Sequence, residues 1–127
     1  MATVIHLDTH VVAWLYAGEN ALLSDTARGL IRDHDLRISP MVRLELQYLY
    51  EIGKTTVPAG RVMIALADTL GLEISSLPFA AIIEKAENQS WTRDPFDRLI
   101  VAQALLEEAA LITKDQTIRQ HYAKAAW

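Results

Sequence analysis

Two aspartates stand three residues apart in RDPFDRLIVAQA (93–104), one beside a proline and one entering an apolar run. Asp94 has a structural reading: an aspartate before a proline makes a helix N-cap, with Pro95 at the first helical position and Asp97 as the reciprocal acid of a capping box. Asp97 is harder to account for in that way. The residues three, four, seven and eight further on are Ile100, Val101, Ala104 and Leu105, so its carboxylate shares a helical face with apolar side chains. Glu45 repeats the problem in PMVRLELQYLYEIG (40–53), where Met41, Leu44, Tyr48, Leu49 and Ile52 form an apolar stripe around it. A carboxylate on a buried face costs roughly several kcal/mol unless it is paired or binds a metal. Ion pairs with Arg43, Arg93 or Arg98 are the bland alternative.

Two more acids follow apolar runs. Asp8 ends the β-branched run TVIHL (3–7), and Asp115 lies two residues past ALIT (110–113). Each can simply cap the helix that follows it. In a parallel sheet of the usual order, however, both reach the carboxyl edge, and Glu45 and Asp97, near the starts of their helices, reach the same edge. Four or five carboxylates then converge with too few cations to neutralise them. Such hard oxygen donors suit Mg²⁺ or Mn²⁺, and such sites serve phosphoryl transfer, activating a water and stabilising the leaving oxygen.

The elements needed to bring these acids together are legible in the chain. After the strand 3–7, THVVAWLYAG (9–18) reads as a helix closed by Gly18, and Ser24 caps DTARGLIRDH (25–34). LRIS (36–39) is a second strand, and Pro40 opens the helix that carries Glu45. Pro58–Gly71 is a helix, LEIS (72–75) a strand, and Pro78 opens a helical FAAIIEKAENQSW (79–91). The helix carrying Asp94 and Asp97, the strand ALIT and a short helix from about Gln116 complete the chain. Strands alternating with helices predict a doubly wound α/β/α domain around a central parallel sheet, with its site at the carboxyl ends of the strands.

Composition agrees. With 127 residues, 51% of them hydrophobic and 22% charged, the chain is expected to form a single domain (1–127) with one core. No apolar run approaches the roughly 20 residues of a membrane span, and MATVIHLD has no basic segment ahead of an apolar one, so no secretory signal is expected. The absence of cysteine excludes disulfides, thiolate zinc sites and Cys nucleophiles, and suits the cytoplasm. A net charge of −4 argues against a surface coated in positive charge.

Taken in order, LDTHVVAW, SPMVRLELQYL, RDPFDRLIVAQA and LITKD resemble the PIN-domain ribonucleases, and among them the VapC-type toxins of bacterial toxin–antitoxin pairs. The resemblance runs from Ile5 to about Arg119 and implies a three-layer α/β/α PIN-like fold. It places the family's acids on Asp8, Glu45, Asp97 and Asp115, with Asp94 as an additional acid, either ligand or cap. Thr9 and Thr113 match supporting hydroxyl positions. The implied activity is Mg²⁺- or Mn²⁺-dependent cleavage of single-stranded or loop RNA. The implied partners are a second copy in a homodimer and an antitoxin protein that blocks the acidic pocket.

Around that site Arg93, Arg98, Lys114 and Arg119 can contact RNA phosphates or serve as solvated ion-pair partners. Trp14, Tyr48, Tyr50 and Trp91 can stack on bases, although their helical spacing favours core or dimer contacts. His10 is expected to be exposed or capped, and His6 to pack in the core. A receiver domain needs an acid pair after the first strand, and a haloacid-dehalogenase-type phosphatase a second Asp where this chain has His10. An inactive α/β binding module leaves Glu45 and Asp97 unexplained, and another metal-dependent phosphodiesterase is the remaining alternative.

Overall fold

A computed structural model describes residues 3–127. Five parallel strands, β1 (Val4–Leu7), β2 (Asp35–Ile38), β3 (Glu73–Ile74), β4 (Ala110–Ile112) and β5 (Ala125–Ala126), lie in the order β3-β2-β1-β4-β5. Val4 pairs with Asp35 on one side of β1, and Leu7 with Ile112 on the other. The chain winds outward from β1 to β3, then returns to the far side of β1 for β4 and β5. Right-handed crossovers put the two windings on opposite faces of the sheet, which gives the expected α/β/α arrangement and a topological switch between β1 and β4.

The helices are α1 (Thr9–Ala17), α2 (Asp25–Asp33), α3 (Pro40–Glu51), α4 (Ala59–Leu70), α5 (Phe79–Ala86), α6 (Pro95–Leu106) and α7 (Gln116–His121). Their ends follow the chemistry of the sequence. Gly18 and Gly71 close α1 and α4 at φ 72° and 67°, a left-handed backbone that glycine adopts without a Cβ penalty. Ser24 Oγ accepts from the Ala27 amide at 3.0 Å and Ser39 Oγ from the Met41 amide at 3.1 Å, capping α2 and α3.

Three expectations need correction. The helix after Pro78 stops at Ala86 rather than running to Trp91, because Asn88 to Thr92 fold into turns that lead to Asp94. β5 is a strand that two alanines do not announce, and it pairs with β4 through Leu111–Ala125. The stripe Met41, Leu44, Tyr48, Leu49, Ile52 is also not the buried face of α3. Leu44 is 56% exposed and Ile52 49%, whereas Val42 and Leu46 are buried. The core contacts of α3 come from Val42 and Leu46, with Met41 partly buried against them, and the half-buried Glu45 stands beside Leu46, three residues on from Val42 and four from Met41.

The core joins the inner faces of β1, β2 and β4 to α1, α3, α4 and α6, with Leu7, Val12, Ile38, Val42, Ile112 and Ile118 fully buried. His6 is buried as expected, yet it is not an apolar filler. Its Nε2 stands 3.2 Å from Glu107 Oε1, and Ser75 Oγ donates to the same oxygen at 3.0 Å. Burial lowers the His6 pKa and prevails over the opposing pull of Glu107. This polar group lies outside the acid cluster. No helix among the described residues is long and apolar enough to cross a membrane.

Candidate active site

Asp8 follows directly on β1 and caps α1, so it stands at the switch point of the sheet. It is 8% exposed. Its Oδ1 accepts from the Thr9 amide at 2.8 Å, and its Oδ2 accepts from the Thr113 hydroxyl at 2.6 Å. Thr113 Oγ1 in turn accepts from the Asp115 amide at 3.1 Å, which links the ends of β1 and β4 through one buried hydroxyl. On the other side, the Thr9 hydroxyl donates to Glu45 Oε1, tying the start of α1 to α3. Both threonines are fully buried.

Asp94 and Asp115 are helix caps, as their sequence contexts suggest. Asp94 accepts from the Phe96 amide at 2.8 Å and, more weakly, from the Asp97 amide at 3.4 Å. Asp115 accepts from the Ile118 amide at 3.0 Å. The capping box is not completed, since the Asp94 amide donates instead to Thr92 Oγ1 at 3.2 Å. Asp97 is therefore not consumed by the cap. The ion-pair explanation also fails, because the salt bridges among the described residues join His6 and Arg37 to Glu107, Arg28 to Asp25 and Arg32 to Asp33. Arg98 donates to the Thr92 carbonyl at 2.8 Å, and Arg93 to that of Ser90 at 2.9 Å.

All five acids, Asp8, Glu45, Asp94, Asp97 and Asp115, line one cavity of about 370 Å³. His10, Val11, Trp14 and Lys114 complete its wall. Of the four cations expected to flank the acids, Arg93, Arg98, Lys114 and Arg119, Lys114 alone is among the described residues of this wall. Thr9 and Thr113 sit behind it, bonded to its carboxylates.

The electrostatics follow from that crowding. Asp97 is pushed up to about 7 from an ordinary 3.8, first by burial and then by Asp94, Asp8, Asp115 and Glu45. Burial likewise raises Asp8, against the hydrogen bonds from Thr113 and Thr9. Glu45 is raised by burial, with further pressure from Asp8 and Asp94 and relief from the Thr9 hydroxyl. Each shift states that the fold resists another negative charge at this point.

The donors are dominated by oxygen, with five carboxylates beside the one imidazole of His10 and no thiol, which suits a hard divalent cation. Among the described residues, no three His, Asp or Glu side chains already stand in a metal-ligating arrangement. The acids line the walls of the cavity and do not close on one point, a spacing that like charges favour.

The sequence profile of the PIN domain matches residues 5–124. The chain belongs to the PIN-domain family. Ribonuclease VapC22 of Mycobacterium tuberculosis is 29% identical to this PIN domain over 124 residues, covering 94% of this chain and 92% of the relative. Solved structures share the fold at lower identity. A toxin-antitoxin complex from Klebsiella pneumoniae superposes with a TM-score of 0.68 at 18% identity, over 97% of this chain and 96% of that one. VapBC2 from Rickettsia felis, bound to a DNA fragment from its promoter, gives 0.66 at 19% identity, over 93% and 92%. The expected PIN-like fold is thus borne out along the chain.

Every acid on the cavity wall is legible in the sequence, whereas His10, expected to be exposed or capped, and Trp14, expected in core or dimer contacts, also line it. Their signal was the spacing of four residues on the helix that Asp8 caps, which puts both side chains on one face.

Proposed function

We propose that this PIN domain is a divalent-metal-dependent endoribonuclease of the VapC type, the toxin of a toxin–antitoxin pair. The observation that carries the reading is the single cavity into which two helix faces and two strand ends deliver five carboxylates, with Asp97 pushed up to about 7. A structural acid cluster would be neutralised by arginine or lysine side chains, and no salt bridge among the described residues reaches these acids. The name of the mycobacterial relative points the same way.

In this reading Asp8, Glu45, Asp97 and Asp115 hold Mg²⁺ or Mn²⁺, and Asp94 adds negative charge while capping α6. When bound, the cation activates water for in-line attack on a phosphodiester and stabilises the leaving oxygen. The protein's own part is positional. Thr113 and Thr9 fix Asp8 and Glu45 by their hydroxyls, so a cation would use Glu45 Oε2 and the second lone pairs of the two Asp8 oxygens. Lys114, on the cavity wall, is the side chain that would meet a substrate phosphate. Single-stranded or loop RNA is the expected substrate, in the cytoplasm.

An antitoxin is the expected partner, in keeping with the toxin–antitoxin assemblies that share this fold. Its blocking group should be an arginine, whose planar fork pairs carboxylate oxygens in the cavity. A neighbouring groove of about 690 Å³ between α1, α3 and α4, lined by Ala13, Leu49, Ile52 and Val57, offers the apolar surface for its helix. For the homodimer, the apolar segments 46–52 and 62–70 leave Tyr48, Ile52 and Ile64 at 47%, 49% and 69% exposure.

The test is cleavage of a labelled single-stranded RNA by the pure protein with Mg²⁺, with Mn²⁺ and with chelator. Cleavage that needs the metal and disappears in Asp8→Asn supports the reading. A wild-type protein that leaves every RNA intact in both metals makes this an inactive binding module.

A further inference from the structure

We propose that His10 and Trp14 form a base-stacking platform on the wall of the acidic cavity, on which a nucleotide flanking the cut phosphodiester lies. The inference rests on the ribonuclease reading for its substrate, and on separate observations for its place. His10 and Trp14 contribute the aromatic rings of the cavity wall, beside the carboxylates. They lie one helical turn apart on α1, with ring centroids 6.1 Å apart and planes tilted by 49°. Trp127 packs on Trp14 in an edge arrangement, with ring centroids 6.0 Å apart and planes at 61°. His10 is exposed and Trp14 half-buried, so each keeps ring surface that the core does not use.

The electrostatics of the site favour such a device. RNA is a polyanion, and five carboxylates repel it. Phosphate contacts are scarce here: Arg93 and Arg98 are bonded to the carbonyls of Ser90 and Thr92, and Lys114 is the one lysine or arginine on the cavity wall. A base offers an uncharged π-face, so stacking holds the substrate without adding to the repulsion. Position follows from connectivity. Helix α1, which Asp8 caps, carries both rings, so the platform and the central acid are set by one rigid element. A base must leave its helical stack to reach the rings, so the platform selects unpaired nucleotides. It tolerates sequence because every base has a π-face.

The experiment measures anisotropy of a labelled ten-nucleotide mixed-sequence RNA, with Ca²⁺ replacing Mg²⁺ to hold back cleavage, beside an abasic ribose-phosphate strand of equal length. The variants are His10→Ala, Trp14→Ala and Trp14→Phe. His10→Ala and Trp14→Ala are each expected to weaken RNA binding about tenfold, to leave the abasic strand unaffected, and to raise KM more than they lower kcat in Mg²⁺. Trp14→Phe should retain most of the affinity. Because His10 is exposed, His10→Ala decides the matter even if Trp14→Ala unfolds. Wild-type affinity in His10→Ala, or an equal loss on the abasic strand, overturns the platform. If the wild type cleaves RNA while the variants bind unchanged, the platform alone fails. Base-dependent losses without any cleavage sink the ribonuclease reading and leave the platform standing. A wild type that neither binds nor cleaves sinks both.

Discussion

With no cation bound, Asp97 feels four other carboxylates across one small cavity, and burial removes much of the water that would screen them. Its folded pKa of about 7 lies above the ordinary 3.8, so between those values the folded protein holds a proton that the unfolded chain has released. Stability of the metal-free protein therefore falls as pH rises through that window. Thermal melts in chelator should show a lower Tm at pH ~8 than at pH ~5, with a slope reduced in Asp97→Asn and reversed in sign of effect by Mn²⁺. A Tm in chelator that does not decline over that range would show that the carboxylates do not strain the fold. Asp94 belongs to a different class, because its oxygen satisfies the amides at the start of α6. Asp94→Asn keeps a capping oxygen and should change stability by about a few tenths of a kcal/mol, whereas Asp94→Ala should cost about 1. Denaturant melts distinguish the two. Full stability in Asp94→Asn together with total loss of cleavage would move Asp94 among the metal ligands.

At the scale of elements, the site is a meeting of ends: β1 and β4 deliver Asp8 and Asp115, and the first halves of α3 and α6 deliver Glu45 and Asp97. The two threonine hydroxyls keep those ends in register. Thr113→Val removes a donor from a buried carboxylate while conserving shape, so Asp8 loses a hydrogen bond that holds its pKa down. We expect kcat to fall by about tenfold or more and stability by about 1–3 kcal/mol, checked by single-turnover cleavage and urea melts. Unchanged kcat would reduce Thr113 to a capping role. Much of this was legible in the sequence because caps and breakers are local chemistry: Ser24, Ser39, Pro40, Pro95, Gly18 and Gly71 mark their helix ends where expected. What was not legible depended on tertiary contact. The apolar stripe of α3 pointed to Leu44 and Ile52, which face outward, because helical period gives a face without saying which of two adjacent faces meets the sheet. Glu45 stands out nonetheless, because a carboxylate among apolar neighbours is anomalous on either face, and the buried Val42 and Leu46 lie beside it. β5 went unseen because two alanines become a strand only by pairing with β4.

Across the whole molecule, stability is given up to assemble charge at the topological switch of the sheet. Neutralising one acid should then relieve the metal-free fold while removing function. Asp8→Asn and Asp97→Asn are each expected to raise the Tm in chelator and to abolish cleavage in Mg²⁺, with scanning calorimetry beside the RNA assay. Variants that lose both Tm and activity would mark these carboxylates as structural. The most direct test of the central claim is anomalous diffraction from crystals of this protein grown with Mn²⁺. An anomalous peak is expected inside the cavity, with oxygens of Asp8 and Asp97 about 2.0–2.2 Å from it, close to the distances hard divalent cations demand. A cavity without an anomalous peak at saturating Mn²⁺, or Mn²⁺ bound only elsewhere on the molecule, contradicts it.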